Sequence, residues 1–178
     1  MLTAEQQQAL LALARVSIET RITDPTVTVE AVSVDWPDAS GVFVTIKRRG
    51  QLRGCLGTLQ NRAGLGAEVV RCAFDSATQD PRFPPVGRDE LPELTLEISV
   101  LGPLEPIAPR PDAFTLGVHG LVVEQDVHRG LLLPQVATEW GWDGEQFLRQ
   151  TCVKAGLPPD AWRNGARLYR FSAEVFGD

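Results

Sequence analysis

Cysteine and histidine are scarce in this chain of 178 residues, which contains three cysteines and two histidines. The cysteines stand at positions 55, 72 and 152, so the sequence has no C-x-x-C pair. An odd number of widely spaced cysteines argues against a disulfide framework and against a structural zinc site. We therefore expect reduced thiols, no bound metal and a cytoplasmic protein.

Long apolar runs and an excess of positive charge are also missing. No run reaches the roughly eighteen apolar residues of a membrane span, and the short apolar run near the N-terminus lacks the basic residue that begins a signal peptide. The formal net charge is −6, whereas nucleic-acid-binding domains usually carry a basic face. The basic cluster of residues 47–49 and Arg53 keeps nucleic acid as a minority alternative.

Motifs for nucleotide cofactors, zinc proteases and EF-hands do not occur in the sequence. We therefore predict a protein that needs no cofactor. The sequence leaves its oligomeric state open.

Local patterns predict a succession of helices and antiparallel strands. Thr3 and Gln6 form a capping box for a helix to about residue 21, and Asp143 and Gln146 form another for a helix near the C-terminus. Residues 26–40 are predicted to be a loop or weakly extended. The further predictions are a hairpin of strands 42–47 and 51–56, a helix over 63–79, strands 93–101, 117–124 and 130–133, helical turns over 134–140, and a closing strand 167–176.

This order of elements lacks the regular alternation of strand and helix that a doubly wound parallel sheet requires. It favours an α+β fold, with a largely antiparallel sheet and flanking helices.

Six short motifs, in a fixed order, resemble one protein family. They are LRGCLGT at 52–58, DPRFPP at 80–85, ELP at 90–92, GVHGL at 117–121, LPQVA at 133–137 and EWGWD at 139–143. Together they resemble the AMMECR-one domain family, whose bacterial and archaeal members are called protein A of the AmmeMemoRadiSam system. The resemblance extends from about residue 5 to 176, and the cysteine heptapeptide is its most specific element. The family's usual isoleucine is replaced by Leu56, a conservative change.

The resemblance implies one domain over residues 1–178, with a major lobe, a minor lobe and the heptapeptide at a cleft between them. It also implies two partners, a Memo-like dioxygenase-fold protein and a radical S-adenosylmethionine (SAM) protein. It supplies no reaction.

Four residues are candidates for catalysis. Alternation along strand 51–56 places Cys55 on one face with Arg53, whose guanidinium is expected to stabilise a thiolate. His119 is the candidate general base. Glu97 would orient His119 or pair with Arg53. The alternatives are a small buried cysteine, a packing histidine and a solvent-facing glutamate.

Four further residues are candidates for ligand binding. Gly54 and Gly57 lack side chains and would let a substrate or a partner backbone approach closely. Thr58 precedes a helix whose first N–H groups attract anions, and Arg82 lies in a proline-rich turn from which it would reach an anion. A structural contact is the alternative for Arg82.

Two hypotheses follow from these candidates. In the first, the protein is an enzyme or enzyme component with a reactive Cys55. In the second, it is a non-catalytic module that binds an anionic ligand, a partner protein or nucleic acid. The other two cysteines are expected in the core, and the tryptophans at 140, 142 and 162 are expected to pack in the core or between lobes.

Overall fold

The computed structural model describes residues 1–31 and 39–178. Residues 32–38, part of the predicted loop 26–40, lie outside the described residues. The described helices and strands are α1 (Ala4–Thr23), β1 (Gly41–Arg48), β2 (Gln51–Thr58), α2 (Leu65–Thr78), β3 (Leu94–Leu101), β4 (Glu105–Pro106), β5 (His119–Gln125), β6 (His128–Leu132), α3 (Pro134–Trp140), α4 (Gly144–Lys154) and β7 (Arg167–Gly177). Short 3-10 helices occupy Arg88–Glu93 and Ala161–Arg163.

The predicted elements are confirmed, with small differences at their ends. Both capping boxes are present: the side chain of Thr3 accepts from the Gln6 N–H, and that of Asp143 accepts from the Gln146 N–H. Strand β4 and the two 3-10 helices were not predicted. They are too short to show a hydrophobic period.

The chain divides into two compact units. The first consists of residues 1–101 and 174–178, and the second of residues 102–173. That they are two lobes of a single domain stays a prediction.

The first unit is a sheet with helices on one face. Strands β2, β1 and β3 are antiparallel neighbours in that order, and β7 follows β3. Val44 and Ile46 of β1 and Ile98 of β3 are fully buried, because α1 and α2 cover this face with their own apolar side chains. Cys72 of α2 is 1% exposed, which confirms its predicted place in the core.

The second unit is built on strands β6, β5 and β7, with the short β4 also paired to β7. Its core is formed around α4, where Phe147, Leu148 and Cys152 are fully buried. Trp162 is 3% exposed, so its predicted core position is confirmed. Trp140 is 71% exposed, so its predicted packing is wrong.

Both units combine helices with antiparallel strands, so the predicted α+β class is confirmed. In the part of the chain that the structure describes, no helix is long and apolar enough to cross a membrane.

Candidate functional site

A row of polar side chains crosses the three strands of the first unit. Cys55 of β2 lies opposite Thr45 of β1, and Thr45 lies opposite Glu97 of β3. Directly opposed residues of antiparallel strands share a face of the sheet. Since Val44 and Ile46 point to the helices, these three side chains lie on the other face. We call Cys55, Thr45 and Glu97 the polar row.

Cys55 is partly exposed, whereas the two other cysteines of the chain, Cys72 and Cys152, are buried. Its sulfur lies 3.2 Å from the Thr45 hydroxyl oxygen, and either atom can donate the hydrogen bond. Burial raises the pKa of the Cys55 thiol; its hydrogen bond with Thr45 and the charge of Arg82 oppose that shift. The thiol is therefore protonated at neutral pH.

A turn after α2 holds the backbone of Cys55. The buried carboxylate of Asp80 accepts the Cys55 N–H at 2.9 Å. Arg82 donates two hydrogen bonds to the same carboxylate, from Nε at 3.0 Å and from Nη2 at 2.7 Å. These bonds hold the pKa of Asp80 well below its usual range. This turn thus attaches to the strand and brings the Arg82 charge near the thiol.

Asp80 was not predicted as a site residue. A signal was present in the DPRFPP motif, where an aspartate stands two residues before an arginine. Such spacing lets an aspartate accept bonds from its own turn, but nothing local indicates that it also reaches β2.

Arg53 does not follow the alternation that placed it beside the thiol. Gly54 pairs with Ile46 and Leu52 with Lys47, so Arg53 has no opposite residue on β1. Where two residues of one strand face a single residue of the other, the strand forms a β-bulge, which changes the direction of the side chains there. The predicted alternation is therefore interrupted at Arg53.

The donors of Arg53 are directed to other groups. Its Nε and Nη2 each donate to Glu90 at 2.9 Å, and its Nη1 donates to the carbonyl of Pro84 at 2.9 Å. Arg48 donates to the same carboxylate at 3.0 Å. The hydrogen bonds from Arg53 lower the pKa of Glu90 to about 2, although burial of the carboxylate opposes this shift. Among the described residues, the cation that lowers the pKa of Cys55 is Arg82 and not Arg53.

Glu97 has a local partner as well. Its Oε2 atom lies 3.1 Å from the Lys47 ammonium, two residues along β1 from Thr45. The predicted pairing with Arg53 is therefore replaced by an ion pair with Lys47. The carboxylate charge makes a small contribution to the raised pKa of Cys55.

The two glycines are surrounded by the protein itself. A Cβ atom on Gly54 would lie 2.1 Å from the Ser76 carbonyl oxygen of α2. One on Gly57 would lie 2.4 Å from the ring of Phe43. Close approach of a helix and of a ring of this chain is thus a reason for both glycines, and the predicted approach of a ligand stays a prediction.

Thr58 ends β2. Its hydroxyl oxygen accepts the N–H of Gln60 at 3.1 Å, which closes a small turn. Its predicted contact with an anion stays a prediction.

His119 begins β5 in the second unit and holds a turn. Its Nδ1 atom accepts the Thr115 N–H at 3.0 Å, while its own backbone N–H donates to the Thr115 carbonyl at 2.9 Å. Burial lowers the pKa of His119, with a further contribution from the charge of Arg170. The imidazole is therefore neutral at pH 7. Its predicted pairing with Cys55 joins different units and stays a prediction.

Within the described ranges, no three histidine, cysteine or carboxylate side chains are grouped so that they could hold a metal ion.

Fold and site together define a class of protein: an α+β protein that carries a partly buried thiol in a polar strand row, clamped by a proline-rich turn. The AMMECR1 family model matches residues 11–176. The chain belongs to this family, which confirms the resemblance seen in the motifs.

Similar proteins occur in archaea. A protein of Methanothermobacter thermautotrophicus is 44% identical, and the alignment covers 98% of this chain and 95% of that protein. Protein TK0174 of Thermococcus kodakarensis is 43% identical, with 97% and 90% covered. The crystal structure of the uncharacterized protein PH0010 from Pyrococcus horikoshii superposes with a TM-score of 0.91 at 41% identity, covering 99% of this chain and 93% of that one.

Proposed function

We propose that this protein is a cysteine-dependent enzyme, or a component of one, in which the thiol of Cys55 is the reacting group. The observation that carries the proposal is the setting of this thiol. Cys72 and Cys152 lie in apolar cores, whereas Cys55 bonds a hydroxyl in a polar row and has a cation nearby. A thiol that only fills space needs neither.

The resting thiol is protonated, so its reaction begins with loss of the proton to a base in solution or on the substrate. The Thr45 hydroxyl then donates its hydrogen to the sulfur anion. The charge of Arg82 offsets the new negative charge. Asp80 keeps both Arg82 and the Cys55 backbone in place. Because burial opposes ionisation, we expect a thiol that reacts readily when substrate is bound and only slowly with added reagents otherwise.

The family resemblance suggests where and with what the protein acts. We propose the cytoplasm, where thiols stay reduced, and joint action with a Memo-like dioxygenase-fold protein and a radical SAM protein.

A second candidate function is a binding module for an anionic ligand. The side chain of Arg82 is 53% exposed although Asp80 holds it rigidly. A pre-ordered and accessible guanidinium suits recognition of a carboxylate or phosphate group, and a protonated thiol beside it need not react.

Alkylation by iodoacetamide, followed by mass spectrometry from pH 6 to pH 11, tests the thiol. We expect a single labelled cysteine in the folded protein, identified as Cys55 by its loss in Cys55→Ser. The midpoint of its rate profile should lie above the value of an ordinary thiol, about 8.5. The two core cysteines serve as internal controls, since they should react only after unfolding.

Turnover separates the two candidates. The chain is combined with the Memo-like and radical SAM proteins, and small molecules of a cell extract are compared by mass spectrometry before and after incubation. We expect conversion with the wild-type chain and none with Cys55→Ser, while Leu52→Ala, an exposed change on the same strand, keeps it. Undiminished conversion by Cys55→Ser would rule out the thiol as the reacting group and favour the binding module.

A further inference from the structure

An exposed tryptophan in the second unit is held in a defined position. Trp140, the last residue of α3, is 71% exposed. Its indole stacks on that of Trp142, with ring centres 6.0 Å apart and planes inclined by 16°. Trp142 in turn packs against the core of this unit. One face of the Trp140 indole is thus supported and the other is open to solvent.

Two more exposed apolar side chains lie beside the same helix. The turn of residues 115–119 approaches α3 so closely that a Cβ atom on Gly117 would lie 3.1 Å from the Thr138 methyl group. Leu116 and Val118, on either side of this glycine, are 37% and 54% exposed. We call Leu116, Val118 and Trp140 the Trp140 surface.

The Trp140 surface is ordered before any partner binds. His119 accepts the Thr115 N–H and so closes the turn that carries Leu116 and Val118. Because stacking restricts the Trp140 side chain and this hydrogen bond restricts the turn backbone, a partner loses little of its binding free energy to ordering them.

Negative charge flanks the exposed indole. In the sequence, Glu139 and Asp143 stand on either side of residues 140–142. The ion pairs of the described residues include neither of them. Asp143 uses one oxygen to cap α4. The face of an indole attracts cations, and two unpaired carboxylates strengthen that preference while repelling phosphate groups.

We propose that the Trp140 surface binds an arginine-bearing segment of a partner protein. The guanidinium stacks on the open face of Trp140 near Glu139 and Asp143, and an adjacent apolar side chain of the partner packs on Leu116 and Val118. Arginine suits this place better than lysine, because its planar and weakly hydrated group stacks on aromatic rings. Tryptophan and arginine are also the residues that most often dominate protein interfaces.

The test uses the full chain and a synthetic acetylated decapeptide in which arginine and leucine alternate. Binding is measured by isothermal titration calorimetry. We expect a dissociation constant of about 1 mM or tighter, weakened at least about tenfold by Trp140→Ala and by Glu139→Lys. Two matched controls, Val127→Ala at an exposed apolar side chain and Glu5→Lys at an exposed acid, should leave it within about twofold.

Two further ligands complete the test. A peptide with glutamate in place of arginine should not bind, and neither should single-stranded decathymidylate. Circular dichroism confirms that the variants are folded. The proposal is overturned if the arginine peptide does not bind, if Trp140→Ala binds it as well as the wild type, or if decathymidylate binds in a Trp140-dependent way, which would indicate a nucleic-acid surface.

Discussion

Two segments of this protein place a potentially reactive side chain next to glycine. In the first unit, Cys55 follows Gly54; in the second, His119 precedes Gly120. The partners of Cys55 come from distant parts of the chain, since Thr45 is ten residues before it and Asp80 twenty-five after it. The partner of His119 is four residues away.

The surroundings of Cys55 therefore depend on distant parts of the chain more than those of His119 do. The environment of the thiol depends on how β1, β2 and the turn after α2 pack, so a change far from Cys55 alters it. The hydrogen bond of the histidine lies within its own turn, so local changes should affect this bond most.

The largest effect is expected from Gly54→Ala. The added methyl group would meet the Ser76 carbonyl oxygen, so α2 and β2 must separate. We expect the free energy of unfolding to fall by about 3 kcal/mol, measured by urea denaturation, together with faster alkylation of Cys55. As a control, Leu52→Ala on the same strand should cost about 0.5 kcal/mol or less. Equal stability of Gly54→Ala and wild type would show that the two elements are not in close contact.

Glu90→Gln should have the next largest effect. Glu90 receives hydrogen bonds from Arg48 and Arg53, and losing its charge removes the carboxylate partner of Arg53, whereas Arg48 keeps its ion pair with Glu93. We expect a loss of about 2 kcal/mol. The matched control is Glu105→Gln, whose ion pair with Arg170 is exposed and should contribute less than about 1 kcal/mol.

The same variant should change the response to acid. The pKa of Glu90 is lowered from 4.5 to about 2 in the folded protein. Its stabilising contribution is therefore complete above pH 4.5 and is lost as the pH falls towards 2. Wild type should lose more stability over this range than Glu90→Gln. Parallel pH profiles of the two proteins would contradict the prediction.

A smaller effect distinguishes the two arginines near the thiol. Because the charge of Arg82 lowers the pKa of Cys55, Arg82→Gln should move the alkylation profile to higher pH and slow the reaction at pH 8 about threefold or more. Arg53→Gln should leave the midpoint in place, since the donors of Arg53 point to Glu90 and Pro84. If Arg53→Gln moved the midpoint and Arg82→Gln did not, Arg53 would be the cation that stabilises the thiolate, as the sequence predicted.

The smallest effect concerns the turn that His119 closes. Protonation at Nδ1 removes the acceptor for the Thr115 N–H. Since the pKa of His119 lies below 6.5 in the folded protein, the unfolded chain takes up this proton first, and the stabilisation is lost as the pH falls below 6.5.

Amide exchange measured by NMR detects this loss. The protection of the Thr115 N–H should fall in mild acid relative to that of the Gln60 N–H, which is held by the non-titrating hydroxyl of Thr58. His119→Ala should abolish the difference. If Thr115 and Gln60 keep the same ratio of protection at every pH, the imidazole does not hold the turn.

Several features were predictable because they depend on neighbours in the sequence. The capping boxes at Thr3 and Asp143 each join residues three apart. The hairpin of β1 and β2 follows from β-rich strands around a short turn. The ordered motifs predicted the family, which the match over residues 11–176 confirms.

Other features could not be predicted. The bulge at Arg53 shifts the register by one residue, and strand alternation contains no warning of such a shift. The exposure of Trp140 depends on where α3 lies, whereas its large apolar side chain predicts burial. The hydrogen bond from the Cys55 N–H to the Asp80 carboxylate joins residues twenty-five apart in the sequence.

The sequence by itself determined the α+β class, the order of the elements and the family, because those depend on short-range periodicity, capping and ordered motifs. Tertiary structure alone decided which charge meets the thiol, what occupies the space beside Gly54 and which tryptophan faces solvent. Such contacts form only when distant segments pack together, and their geometry depends on register and helix placement, which no local pattern encodes.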